Sequence, residues 1–140
     1  MTQFFKAAFL AAALTVSASA PAAQADACDN ATGGQAGLDQ CYDQLFKKSD
    51  AELNKLYKQI EVRLKGDAAT TKLLVTAQRA WVAFRDAECN FQSAGAQGGS
   101  VGPMIYSICL DGLTQSRIKD FQGYLKCEEG DTSCPVPAGN

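Results

Sequence analysis

The 140-residue chain contains no histidine. That absence removes Ser-His-Asp and Cys-His nucleophile pairs, mixed Cys/His zinc sites and HExxH metal hydrolysis together. A surplus of one charge is missing too: thirteen Lys and Arg against fifteen Asp and Glu give a formal net charge of −2. With no basic excess to neutralise a phosphate backbone and no basic run interleaved with aromatics, nucleic acid is not an expected partner. No CxxC occurs among the six cysteines, which sets aside thioredoxin-like redox chemistry and zinc-ribbon spacing. Beyond the N-terminal leader, no segment has the roughly 18 uninterrupted apolar residues that a membrane span requires. Acid pairs such as Asp86 and Glu88 stand two residues apart, so on a helix they do not face each other as an acid–base pair would. The expectation is a protein without cofactor or metal, and not an enzyme.

What is present begins at the N-terminus. Lys6 supplies a positive region, Ala7 to Val16 is apolar and alanine-rich, and Ala23-Gln24-Ala25 places small residues where a signal peptidase reads. Residues 1–25 read as a secretory signal cleaved before Asp26. The alternative site at Ala18-Ser19-Ala20 would leave Pro21 at the new N-terminus. Residues 26–140 suffice for one core but not two, so a single domain follows. All six cysteines lie in this part. An even count in a short exported chain reads as a disulfide framework in an oxidising compartment, periplasmic or extracellular.

Three stretches carry the helical period. From about Gln35 to Lys65, apolar residues fall at Leu38, Cys41, Tyr42, Leu45 and Phe46, then at Leu53, Leu56, Tyr57, Ile60 and Leu64. Ser49-Asp50 marks a possible break, since both residues prefer caps to helix interiors, but one long helix is expected. A second helix follows Gly66-Asp67, with Asp67 or Thr70 as its cap, and runs to about Gln92. Its inner stripe is expected at Leu73, Leu74, Ala77, Trp81, Phe84 and Ala87 or Glu88. The third begins near Pro103, a residue suited to a first helical turn, and is weakened by Gly112 and Gly123. Short connections make the fold class all-α: a small antiparallel three-helix domain stapled by three disulfides.

That topology constrains the cysteines. In an up-down-up order Cys41, Cys89 and Cys109 lie toward one end and Cys127 toward the other, and a helix of about 22 residues is roughly 33 Å long. Disulfide reach is far shorter, so Cys127 pairs with Cys134 in a short C-terminal loop. Among the rest, Cys28–Cys41 with Cys89–Cys109 closes local loops. Exchange of partners among these four is the competing arrangement.

The string from Ala77 to Cys89 (AQRAWVAFRDAEC), followed by Gly98-Gly99-Ser100 and then Cys109 with Thr114 and Arg117, resembles the lysozyme inhibitor LprI-like family. Asp39-Gln40-Cys41 and Glu52-Leu53-Asn54-Lys55-Leu56-Tyr57 share the resemblance, which covers about Cys28 to Cys127. The resemblance implies a small helical exported protein, some of whose relatives inhibit lysozyme. This chain lacks the lipobox of the lipid-anchored relatives.

The candidate binding residues are Gly98, Gly99, Ser100, Arg85 and Trp81. The segment Ser93–Pro103 is rich in glycine, and a Cys89–Cys109 bridge clamping its ends would reduce the entropy lost on ordering it. No GK[ST] follows, so it is not a phosphate loop. The competing reading is that these glycines only let the chain turn against a helix end. Trp81 is expected mainly in the core. Arg85 is expected as a tie between helix ends or a grip on a partner carboxylate, and Arg117 as a partner of Asp39 or Asp43. Tyr42 and Tyr57 are expected to pack their rings, and Glu128, Glu129 and Asp131 to be solvated. Two functions fit: an exported inhibitor of lysozyme or a related peptidoglycan hydrolase that occludes the active-site cleft, or a non-catalytic cell-envelope interaction or stress protein. The sequence leaves oligomeric state open.

Overall fold

The computed structural model describes residues 25–139, so the expected signal sequence lies outside the described residues except for Ala25. Three α-helices make up the domain: α1 Gly34–Arg63, α2 Ala68–Gln92 and α3 Gly102–Leu125. Short 3-10 turns at Ala25–Cys28 and Ala94–Ala96 precede α1 and follow α2. The possible break at Ser49 does not occur. Its hydroxyl turns back to donate to the Phe46 carbonyl at 2.9 Å, and α1 continues through it. Asp67 caps α2, accepting from the Thr70 N–H at 2.9 Å and the Thr70 hydroxyl at 2.7 Å. Those two donors hold its carboxyl below the usual value. Pro103 sits in the first turn of α3, which runs uninterrupted through Gly112 and Gly123. None of these helices is long and apolar enough to cross a membrane.

Helices α1 and α3 run side by side in the same direction. At one end the Gln35 amide lies 3.7 Å from the Met104 sulfur, and at the other Arg63 Nη1 donates to the Leu125 carbonyl at 2.8 Å. Between them Leu53, Leu56, Ile60 and Leu64 of α1 meet Ile118 and Phe121 of α3, all buried. Each such side chain contributes about 1.5–3 kcal/mol through burial. Val136, from the tail beyond Cys134, is buried in the same cluster, a contribution that the sequence reading did not anticipate. Glu128, Glu129 and Asp131 are exposed as expected.

Three disulfides staple the bundle: Cys28–Cys41, Cys89–Cys109 and Cys127–Cys134, with Cα separations of 5.9, 5.5 and 5.7 Å. The local pairing holds, and the exchanged pairing does not occur.

The orientation of α2 corrects the sequence reading. Leu73 and Phe84 are 69% and 54% exposed, and Ala77 and Ala87 are exposed as well. The docked face keeps Leu74 and Trp81 of that stripe and adds Gln78, Arg85 and Cys89, so its centre is turned roughly 80° round the helix from the expected one. Cys89 must face α3 to bond Cys109, and Arg85 faces inward because its charge finds compensation there. Those two directional demands outweigh the burial of Leu73 and Phe84. Arg117 departs as well: it pairs with Asp120 at 3.3 Å and donates to Gln78 at 3.2 Å, not to Asp39 or Asp43. Thirteen residues beyond Met104, it lies about 20 Å along α3, well past the level of those two acids on the parallel α1.

Candidate functional site

The connection from α2 to α3 is a ladder of tight turns. Ala96 N–H donates to the Ser93 carbonyl, Gln97 to Ala94, Gly99 to Ala96 and Gly102 to Gly99, at 2.9–3.3 Å. Gly98 adopts φ 79°, a left-handed conformation that side chains disfavour. At Gly102 an added Cβ would stand 2.7 Å from the Ala96 carbonyl oxygen, so the loop can close on itself only with glycine there. At its base, the buried Ser93 hydroxyl donates to the Cys89 carbonyl at 2.8 Å, and the Cys89–Cys109 bridge ties both flanking helices. Gly98, Gly99 and Ser100 form the exposed outer edge. Behind them lies an open cleft of about 450 Å³ lined by Asn90, Ser93, Gln97, Gly98, Pro103 and Tyr106.

Trp81 and Arg85 lie elsewhere, beneath this loop and inside the bundle. The Arg85 side chain is only 10% exposed. Its Nη1 reaches Asp50 on α1 at 3.1 Å, while Nη2 and Nε reach Asp86 at 2.8 and 2.9 Å. The guanidinium carbon stands 5.3 Å from the Phe46 ring centroid and 5.3 Å from that of Trp81. On the other side of the stack Arg117 stands 5.9 Å from Trp81 and 4.6 Å from Phe121, and Phe121 meets Tyr57 and Tyr124 at 6.2 and 6.0 Å. Cations and aromatic rings therefore alternate across the bundle, an arrangement strengthened where water is excluded. Burial, reinforced by the neighbouring Glu61, pushes the Tyr57 hydroxyl above its ordinary value.

The structure thus joins Trp81 to Arg85 and keeps both apart from Gly98, Gly99 and Ser100. Helix α2 runs about another 10 Å past Arg85 before the loop begins. Sequence reasoning missed Phe46 and Asp50 as partners of Arg85, because Asp50 read as a helix break. It also missed Asn90 and Tyr106, which line the cleft from α2 and α3 without any motif to mark them.

Comparison with known proteins finds one family model, described as lysozyme inhibitor LprI, matching residues 28–121. The match runs from the first cysteine through both clamped helices and the glycine loop to Phe121. An uncharacterized protein of Rhizobium meliloti (strain 1021) is 35% identical over 106 residues, covering 68% of this chain and 76% of that protein. No solved structure matches.

Proposed function

The chain belongs to the lysozyme inhibitor LprI family, and we propose from that membership that it is an exported protein that binds a lysozyme or related peptidoglycan hydrolase and blocks its active-site cleft with the loop between α2 and α3. Export is supported by the signal-like leader and by three disulfides that leave no cysteine free among the described residues. The observation that carries the reading is the build of the loop. Its flexible residues are ordered in advance by the turn ladder and the Cys89–Cys109 clamp, so little entropy remains to be lost on binding.

Hydrolases of this kind work with two carboxyl groups in an open cleft, and an occluding protein needs hydrogen-bond donors that meet them. The ladder uses the Gly99 N–H internally. The Gly98 N–H, the Ser100 N–H and the Ser100 hydroxyl, all on exposed residues, make no hydrogen bond among the described residues, which leaves them as candidate donors. In this reading Trp81 and Arg85 act from beneath, holding α2 and therefore the base of the loop. The protein acts by occupancy, with no chemistry of its own.

The test is peptidoglycan lysis by c-type, g-type and bacterial hydrolases with and without the oxidised protein. Inhibition that a chitooligosaccharide relieves by competition supports the cleft. Ser100→Glu, which sets a carboxylate against the target's own, weakens inhibition by roughly tenfold or more, whereas Lys58→Glu leaves it unchanged. Inhibition indifferent to the Ser100 change moves the contact away from this loop, and no inhibition of any hydrolase at micromolar concentration removes the reading.

A further inference from the structure

The outer face of α2 has no role in the proposal above. Leu73, Ala77, Ala80, Phe84, Ala87 and Phe91 recur at spacings of four and three, and every one is exposed. The large members stand 69%, 54% and 77% exposed. Their mean spacing of about 3.6 residues lays them in a straight line about 27 Å long. No charged or polar side chain interrupts the line. Single exposed apolar residues on a monomer need no explanation, but a continuous stripe along a whole helix marks a surface that is covered when the protein works.

From this we infer that two copies of the chain associate through α2, antiparallel, stripe against stripe. The stripe is symmetric under end-to-end reversal about Val82. Reversal sets Leu73 opposite Phe91 of the second copy, Ala77 opposite Ala87, and Ala80 opposite Phe84, so the bulky central ring meets a small residue. A two-fold pairing needs this self-complementarity, in which each contact occurs twice. The halves of α2 also differ in charge. Lys72 and Arg79 lie in its N-terminal half, and Asp86 and Glu88 in its C-terminal half. Reversal brings Asp86 of the second copy to within one residue of the level of Arg79, on the same side of the stripe, and it opposes the two helix dipoles. The area suffices. With about 200 Å² for a fully exposed aromatic side chain, the stripe offers roughly 500 Å² per copy. A pair then buries about 1,000 Å² before flanking residues are added, the threshold for a specific interface. The glycine loops emerge at opposite ends of this dimer, each unobstructed by the other.

Sedimentation of the oxidised protein from micromolar to submillimolar concentration is the test. The expected result is a reversible shift to twice the mass of the chain. Phe84→Glu and Phe91→Glu each raise the dissociation constant roughly tenfold or more, while Phe84→Leu and Lys58→Glu retain the dimer. Both glutamate variants keep their helical circular dichroism and any hydrolase inhibition they share with the parent, which separates this inference from the loop reading. A photoreactive phenylalanine analogue at position 84 labels Ala80 of the second copy. A single-chain mass throughout, a dimer surviving both glutamate changes together, or labelling at position 84 of the second copy overturns the inference. So does a monomer whose hydrolase binding is lost with Phe84→Glu, since the stripe then belongs to the hydrolase.

Discussion

Two seams hold this bundle together, and they are made of different materials. Between α1 and α3 the core contact is apolar, with Leu53, Leu56 and Ile60 set against Ile118 and Phe121. Where α2 docks, the contact is a stack of Phe46, Arg85, Trp81, Arg117 and Phe121, edged by Asp50, Asp86 and Gln78. The apolar seam is non-directional, so its strength follows the area removed from water. The stacked seam depends on direction: a guanidinium must lie over a ring and reach its carboxylates at once. That requirement, together with the Cys89–Cys109 bridge, fixes the rotation of α2, and it is why Leu73 and Phe84 are left outside.

Four substitutions probe the difference. Phe121→Ala strikes the residue common to both seams, fully buried and stacked on Arg117, and is expected to cost about 3–5 kcal/mol in chemical denaturation. Arg85→Met should cost about 2 kcal/mol, less than a fully buried pair would, because Asp50 and Asp86 stay partly hydrated once unpaired. Hydrogen exchange separates the two: Arg85→Met should speed exchange along α2 while leaving α1 and α3 protected, whereas Phe121→Ala should lower protection throughout. Equal loss of protection in all three helices with Arg85→Met would mean that the seams are one cooperative unit. Arg85→Lys should recover little, since an ammonium cannot fork to two carboxylates while stacking between rings. Arg117→Met, which breaks an ion pair whose carboxylate partner Asp120 is 55% exposed, is expected to cost about 1 kcal/mol.

The smallest effect lies away from both seams, at the start of α2. Asp67 is held ionised below its usual value of 3.8 by Thr70. The stabilisation is therefore present above that value and lost as pH falls through the lower folded-state value. Thermal melts of Asp67→Ala should sit a few degrees below the parent at neutral pH and converge with it in acid. Asp67→Asn should keep most of the cap and lose the pH dependence.

The helices and cysteine pairs were legible because each rests on a local rule: apolar period, capping residue, and the length of a helix set against disulfide reach. The face α2 turns inward was not legible, because periodicity assigns the apolar side to the core and has no means to weigh an arginine flanked by two aromatic rings. Asp50 looked like a helix break since its partner lies 35 residues away. Val136 gave no signal at all, being a single apolar residue between two prolines. The place of the candidate loop could be read from its glycines, but not its turn ladder, which depends on the Ala96 carbonyl meeting both Gly99 and Gly102.

The disulfide pattern bears on how the chain matures. Each cysteine bonds the next one along the sequence, at separations of 13, 20 and 7 residues. For a chain oxidised from its N-terminus onward, Cys41 is the first partner Cys28 meets, and that pair can be consumed before Cys89 arrives. The same order serves the other two. Crossed pairings would close longer loops at greater entropic cost, so the kinetic order and the thermodynamic preference select the same bonds. Disulfide reshuffling, which takes seconds to hours in proteins that must correct early mistakes, is not required for a chain that reaches its bonds in this order.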